Sequence, residues 1–222
     1  MSRKKSKSFL FQNLVGKSIT FSIAEQTVID GLKPLIGGEW EGKIKSGCTV
    51  KRIARNAVVT SIKHKLAKIQ GNYCIYCGLH EKHCGRLERE HIAPKGKTSY
   101  PEFMFEPQNL ALACHHCNVD LKGEYDTISN KFKSYSKCKF NIVHPYFDPI
   151  EKHIVFAVKN GKALLKAAPY SRKGKNHIKL FELDSVPKTD KRTGLLLVES
   201  LKIESKYDKM LDKALNNKFV RR

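Results

Sequence analysis

Acidic residues are scarce in this chain. Its 222 residues include 21 Asp and Glu against 42 Lys and Arg, a formal net charge of +21. Such an imbalance disfavours cationic partners and suits phosphates, so nucleic acid is the expected partner. Long apolar runs are missing too. None approaches the ~20 residues that cross a bilayer, so no membrane partner is expected. The first residues are basic (Arg3, Lys4, Lys5 and Lys7) and run into Phe9-Leu10-Phe11. Gln12 and Asn13 then break the apolar stretch and no cleavage-like site follows, which argues against secretion and for the cytoplasm. An even cysteine count is also lacking. Seven cysteines, two pairs of them at Cys-x2-Cys spacing, fit a reducing compartment and a metal clasp better than a disulfide scaffold. There is one tryptophan, Trp40, and no internal repeat.

The charge is unevenly spread. Residues 1–70 carry 14 Lys and Arg against 4 acids, and residues 141–222 carry 18 against 9. Residues 71–140 carry only 10 against 8. A nearly neutral centre with basic flanks suits a protein whose flanks grip phosphates while the centre does chemistry.

That centre opens with Cys74-Ile-Tyr-Cys77 and closes with Cys114-His-His-Cys117-Asn118. Each Cys-x2-Cys pair puts two thiolates on one tight knuckle, and two knuckles close a tetrahedron around Zn2+. Four soft thiolates leave no open position, so the zinc is structural. His80, His83 and Cys84 offer a competing ligand register. Between the knuckles lie Glu90-His91-Ile92-Ala93-Pro94 and Asn109-Leu110. A neutral histidine can act as a base, and a carboxylate with an amide oxygen suits a hard ion such as Mg2+ or Mn2+. Adjacent strand residues point to opposite faces, so Glu90 and His91 serve one site only if the strand bends there.

The order Glu90-His91, Asn109-Leu110, Cys114-x2-Cys117-Asn118 and Lys122-Gly123 resembles the HNH endonuclease family over roughly residues 71–126. The resemblance implies a β-hairpin followed by a helix, with one divalent ion at their junction. It implies His91 as the general base, Asn109 as the brace that orients it, and Glu90 and Asn118 as ligands of Mg2+ or Mn2+. Cys74, Cys77, Cys114 and Cys117 would hold the structural zinc. The implied reaction is hydrolysis of phosphodiester bonds in DNA. The family association further suggests anti-phage defence, with an ATPase as partner protein, as in Septu-type or retron-linked systems. Two other classes compete: a non-catalytic zinc-ribbon module that binds nucleic acid, and an RNA-cutting, toxin-like effector.

Periodicity predicts the surroundings. Residues 49–70 read as a helix with Ile53, Ala57, Ile62, Leu66 and Ile69 on one stripe and Val58 beside it. Lys51, Arg52, Arg55 and Lys63 crowd the remainder and are the candidate nucleic-acid contacts. Ile19, Phe21 and Ile23 alternate like a strand. Residues 32–42 read as a loop, and Trp40 as a core or lid residue. Residues 87–92 and 110–113 read as hairpin strands, and a helix from Cys117 carries Asn118. Residues 127–140 read as a loop or short helix. His144 reads as part of a His-Pro turn that packs on the core. Asn160-Gly161 reads as a hairpin turn, and residues 176–184 and 195–216 as helices. The expected architecture is α+β, in three parts. Residues 1–70 form a basic arm, strand and helix. Residues 71–126 form a zinc-clasped ββα-metal core. Residues 127–222 form a basic hairpin and helical extension.

Overall fold

A computed structural model describes Leu14 and residues 16–203, with side chains through Val198. The basic arm expected at residues 1–8 and the end of the helix expected at 195–216 lie outside the described residues. The architecture is mixed: helices with three two-stranded antiparallel hairpins, β1–β2, β3–β4 and β5–β6. No described helix is long and apolar enough to cross a membrane.

The strand expected around residues 19–23 is a helix instead, α1 (Ile23–Gly31). The Ser22 hydroxyl accepts from the Glu25 amide, and the Glu25 carboxylate accepts from the Ser22 amide at 2.6 Å. That reciprocal cap satisfies first-turn donors and overrides a weak alternation of only three residues.

Helix α2 (Arg52–Gln70) ends at Gly71, whose φ of +59° suits a left-handed cap. Its buried stripe is Arg55, Val58, Val59, Ile62, Leu66 and Gln70. It is rotated from the expected one, with Ile53 81 % exposed. The Gln70 amide docks α2 on the hairpin, donating to the Leu112 carbonyl at 3.0 Å and accepting from the Leu112 amide at 2.8 Å.

The first knuckle is followed by a short helix, α3 (Glu81–Cys84). Strands β1 (Leu87–His91) and β2 (Leu110–Cys114) then pair in regular register, with Glu90 opposite Ala111 and His91 opposite Leu110. The helix expected after Cys117 is a single wide turn of π type, His116–Lys122. Residues 127–140 hold a short hairpin, β3 (Ile128–Asn130) and β4 (Lys139–Phe140), where a loop or helix was expected. Strands β5 (Ile154–Lys159) and β6 (Lys162–Ala167) meet at Asn160-Gly161, where φ is +50° and +72°, as a two-residue hairpin turn requires.

Helices α4 (Arg172–Leu180) and α5 (Val186–Ile203) both begin earlier than periodicity suggested. The Ser171 hydroxyl caps α4 through the Gly174 amide at 2.9 Å, and Pro187 fits the first turn of α5. One hydrophobic core takes residues from all three expected parts, from Leu14 and Ile62 through Leu112 to Phe181 and Leu183. A smaller cluster of Phe103, Ile128, Tyr135 and Phe140 backs the loop between β1 and β2.

Candidate metal centre and catalytic pocket

Cys74 and Cys77 sit on a turn closed by the Gly78 amide donating to the Cys74 carbonyl. Cys114 ends β2, and Cys117 lies in the π turn. All four are buried, and their sulfurs lie within 4.8 Å of one another. A tetrahedral ion with Zn–S near 2.3 Å needs sulfurs about 3.8 Å apart, so small adjustments suffice. The Cys114 amide points at the Cys74 sulfur, 3.3 Å away, as a donor to a thiolate does. Burial pushes the Cys74 thiol well up, a cost that a divalent cation removes. The four cysteines can therefore hold a metal such as zinc. Of the competing register, the His80 ring accepts from the Lys82 amide, and the Cys84 thiol lies beside Cys77 and Cys114 but donates to the Leu79 and His80 carbonyls and is not one of the four clustered sulfurs.

Beside this centre, a pocket of about 310 Å³ opens along the outer edge of β1. Its lining includes Trp40, Glu90, His91, Asn118 and Lys122. No strand bend is needed to bring Glu90 and His91 together. The sheet has only two strands, so β1 has a free edge, and the pocket wraps both faces there.

The His91 imidazole is 6 % exposed and lies edge-on to Trp40, with centroids 4.4 Å apart. Its Nε2 is 3.0 Å from the Met104 carbonyl oxygen. A carbonyl only accepts, so Nε2 carries the proton and Nδ1 keeps its lone pair. Burial, with Lys95, Lys122 and Arg89 nearby, holds the ring well below the usual histidine range. His91 is thus neutral at pH 7 with one basic nitrogen.

Glu90 is 4 % exposed, and its carboxylate accepts from the His91 backbone amide as well as from side chains. Oε1 accepts from the Tyr76 hydroxyl at 2.7 Å and lies 2.8 Å from the Lys122 ammonium, itself 4 % exposed. Burial raises the Glu90 carboxyl, and Lys122 and Tyr76 oppose the rise.

Asn118 lies in the same pocket but donates its amide to Glu88 at 3.1 Å. Glu88 also meets His115 at 3.1 Å and Arg86 at 3.3 Å. Burial raises the Glu88 carboxyl, but these partners outweigh it and leave it lowered. That bond uses the Asn118 nitrogen, so its oxygen stays available as an acceptor.

A scan against protein-family models gives no match, and neither does a search of curated proteins. The reading of the pocket therefore rests on its own chemistry.

Asn109 sits outside the pocket, fully buried behind it. Its oxygen accepts from the Ala93 amide at 2.7 Å and the Tyr135 hydroxyl at 2.8 Å. Its nitrogen donates to the carbonyls of Ala93 and Phe103. It ties the chain after His91 to the loop carrying Met104. His144 continues the network: its Nδ1 accepts from the Tyr146 amide at 3.3 Å, so Nε2 donates to the Tyr135 hydroxyl at 3.0 Å.

The four expected nucleic-acid contacts are split. Lys51 and Arg52 are exposed, and Lys63 lines an adjoining pocket. Arg55 is turned inward, 6 % exposed, and donates to the Trp40 carbonyl at 2.7 Å. A Cβ on Gly42 would run into its guanidinium. Arg55 holds the Trp40 loop and is not on the outer face. The rotated stripe of α2 explains the difference.

The sequence gives no role to Tyr76 and Glu88, which hold Glu90 and Asn118, reads Trp40 only as a core or lid residue, and marks Lys122 only as part of a motif. Glu88 had a signal, since it shares a strand face with Glu90 at period two. Trp40 had none, being 51 residues from His91 in a loop.

Proposed function

We propose that the chain is a metal-dependent HNH-type endonuclease that hydrolyses phosphodiester bonds in DNA. The observation that carries this reading is His91: buried, neutral, with Nε2 committed to Met104 and Nδ1 left as the base in a pocket that also holds Glu90 and Asn118. In this reading Nδ1 takes a proton from water as the water oxygen bonds phosphorus and the phosphorus–oxygen bond to the leaving group breaks. Asn109 keeps the imidazole aimed through the loop it braces.

The Glu90 carboxylate and the Asn118 amide oxygen are a hard oxygen set that fits Mg2+ or Mn2+. Such an ion would offset charge developing on the phosphate and the leaving oxygen. The four-cysteine centre would then carry structural zinc, clamping β2 and the π turn that place Asn118. Action within an anti-phage defence complex beside an ATPase rests on the family resemblance alone.

One observation favours a second reading. Glu90 is already matched by the buried Lys122 ammonium, an arrangement that also suits a non-catalytic zinc module binding nucleic acid. Supercoiled plasmid with purified protein separates the two. The nuclease reading expects nicking or linearisation with Mg2+ or Mn2+, none with chelator, and none with His91→Ala. Equal cutting by His91→Ala, or no cutting by the parent protein under any divalent ion, sinks it.

A further inference from the structure

The pocket at His91 adjoins a second one of about 330 Å³, and the two share Trp40, Arg89 and Asn118. Together they form a groove along the free edge of β1, with Arg89 at its waist.

Most cations in the groove have acidic partners. Lys122 is paired with Glu90, Lys95 with Glu41 and Arg86 with Glu88. Among the described residues, the Arg89 guanidinium has no hydrogen bond or ion pair, although it is flanked in sequence by Glu88 and Glu90. Those carboxylates line the same groove but are engaged with other partners, Glu90 with Lys122 and Tyr76, and Glu88 with Arg86, His115 and Asn118. Arg89 is nonetheless half-buried. A guanidinium stripped of part of its water and given no counter-charge is costly to keep unless an anion completes it. Lys63, in the second pocket, is the neighbouring cation without an acidic partner among the described residues.

We propose that Arg89 is the phosphate anchor of this groove. Its fork takes two oxygens of a backbone phosphodiester of duplex DNA, and Lys63 takes a further phosphate on the side away from His91. The planar fork matches a phosphate in a way that a lysine ammonium does not. The groove thereby sets which phosphate lies over His91. This assignment rests on nucleic acid as the ligand of the site, but not on cleavage.

The test is fluorescence anisotropy of a labelled DNA duplex with the zinc-loaded full chain, in a chelator of Mg2+ too weak to strip zinc. Arg89→Ala is expected to weaken binding about tenfold at low salt and to reduce the slope of log affinity against log salt by about one. Arg89→Lys is expected to restore the slope but not the whole affinity. Lys63→Ala is expected to reduce the slope in the same way. Thermal melts and zinc content confirm that each variant is folded. Unchanged affinity and slope in Arg89→Ala overturn the proposal, and so does weaker binding at an unchanged slope, which marks a structural role. Failure of the nuclease reading shows separately, as absence of cutting by the parent protein, and leaves this binding result intact.

Discussion

The Met104 carbonyl oxygen lies 3.0 Å from Nε2 of His91 and thereby decides which imidazole nitrogen can act as a base. Rotation of the ring is opposed by Trp40, packed edge-on at 4.4 Å. Replacing His91 with alanine should lower cleavage by about 100- to 10,000-fold while leaving duplex affinity and zinc content unchanged. Because the ring titrates well below the usual histidine range, the rate should hold through that range, around pH 6.5, and fall only below it. A rate that halves near pH 6.5 or above would contradict the burial argument.

Asn109 makes four hydrogen bonds, all to buried groups. Asn109→Ala leaves the Ala93 amide and carbonyl without partners, while the Phe103 carbonyl keeps the Glu106 amide, so a loss of roughly 3 kcal/mol is expected in urea unfolding. Tyr135→Phe removes two bonds, to Asn109 and from His144, and should cost about 2–3 kcal/mol. A loss below about 1 kcal/mol for Asn109→Ala would show that the loop is held by other means.

The Glu90–Lys122 pair offers a cycle. Lys122→Met strands a buried carboxylate and should destabilise the fold by about 3–5 kcal/mol. Adding Glu90→Gln removes the stranded charge and should recover much of that loss. Equal stability of the single and double variants would mean that the two groups are not coupled.

Metal removal is the sharpest stability test. Cys114→Ser should fail to retain stoichiometric zinc and should unfold the hairpin region. Structural zinc sites contribute apparent binding energies on the order of 10 kcal/mol. Full metal content in that variant would return the site to the His80, His83 and Cys84 register.

Two buried histidines away from the pocket set a pH dependence. Burial holds His144 well below the usual range and His177 down to about 4. The unfolded chain takes up protons near pH 6.5 while the folded chain does not, so stability falls as pH drops from about 6.5 towards 4. Each imidazole should cost about 1 kcal/mol between pH 7.5 and 5.5, read as a lower urea midpoint. His177→Phe should flatten the slope, and an unchanged slope would remove His177 from this account.

Local chemistry made much of this protein legible from its residues alone. The two Cys-x2-Cys spacings announced a metal clasp, and the four sulfurs do converge. The helix ending at Gly71, the hairpin of residues 87–91 and 110–114, and the Asn160-Gly161 turn all follow from short-range signals, and all are present. Capping at Ser22 is equally local, and it overrides the three-residue alternation that suggested a strand. Other features are decided only by packing across distant segments. A helix stripe fixes a face only to within a residue or two, so only the docking of α2 through Gln70 shows that Arg55 faces inward to Trp40. No pattern along the chain could place Trp40 over His91, bury Lys122 against Glu90 or leave Arg89 without a counter-charge. Those relations depend on which loop covers the free edge of β1, and that is settled by the shared core of all three parts of the chain, not by the neighbours of any one residue.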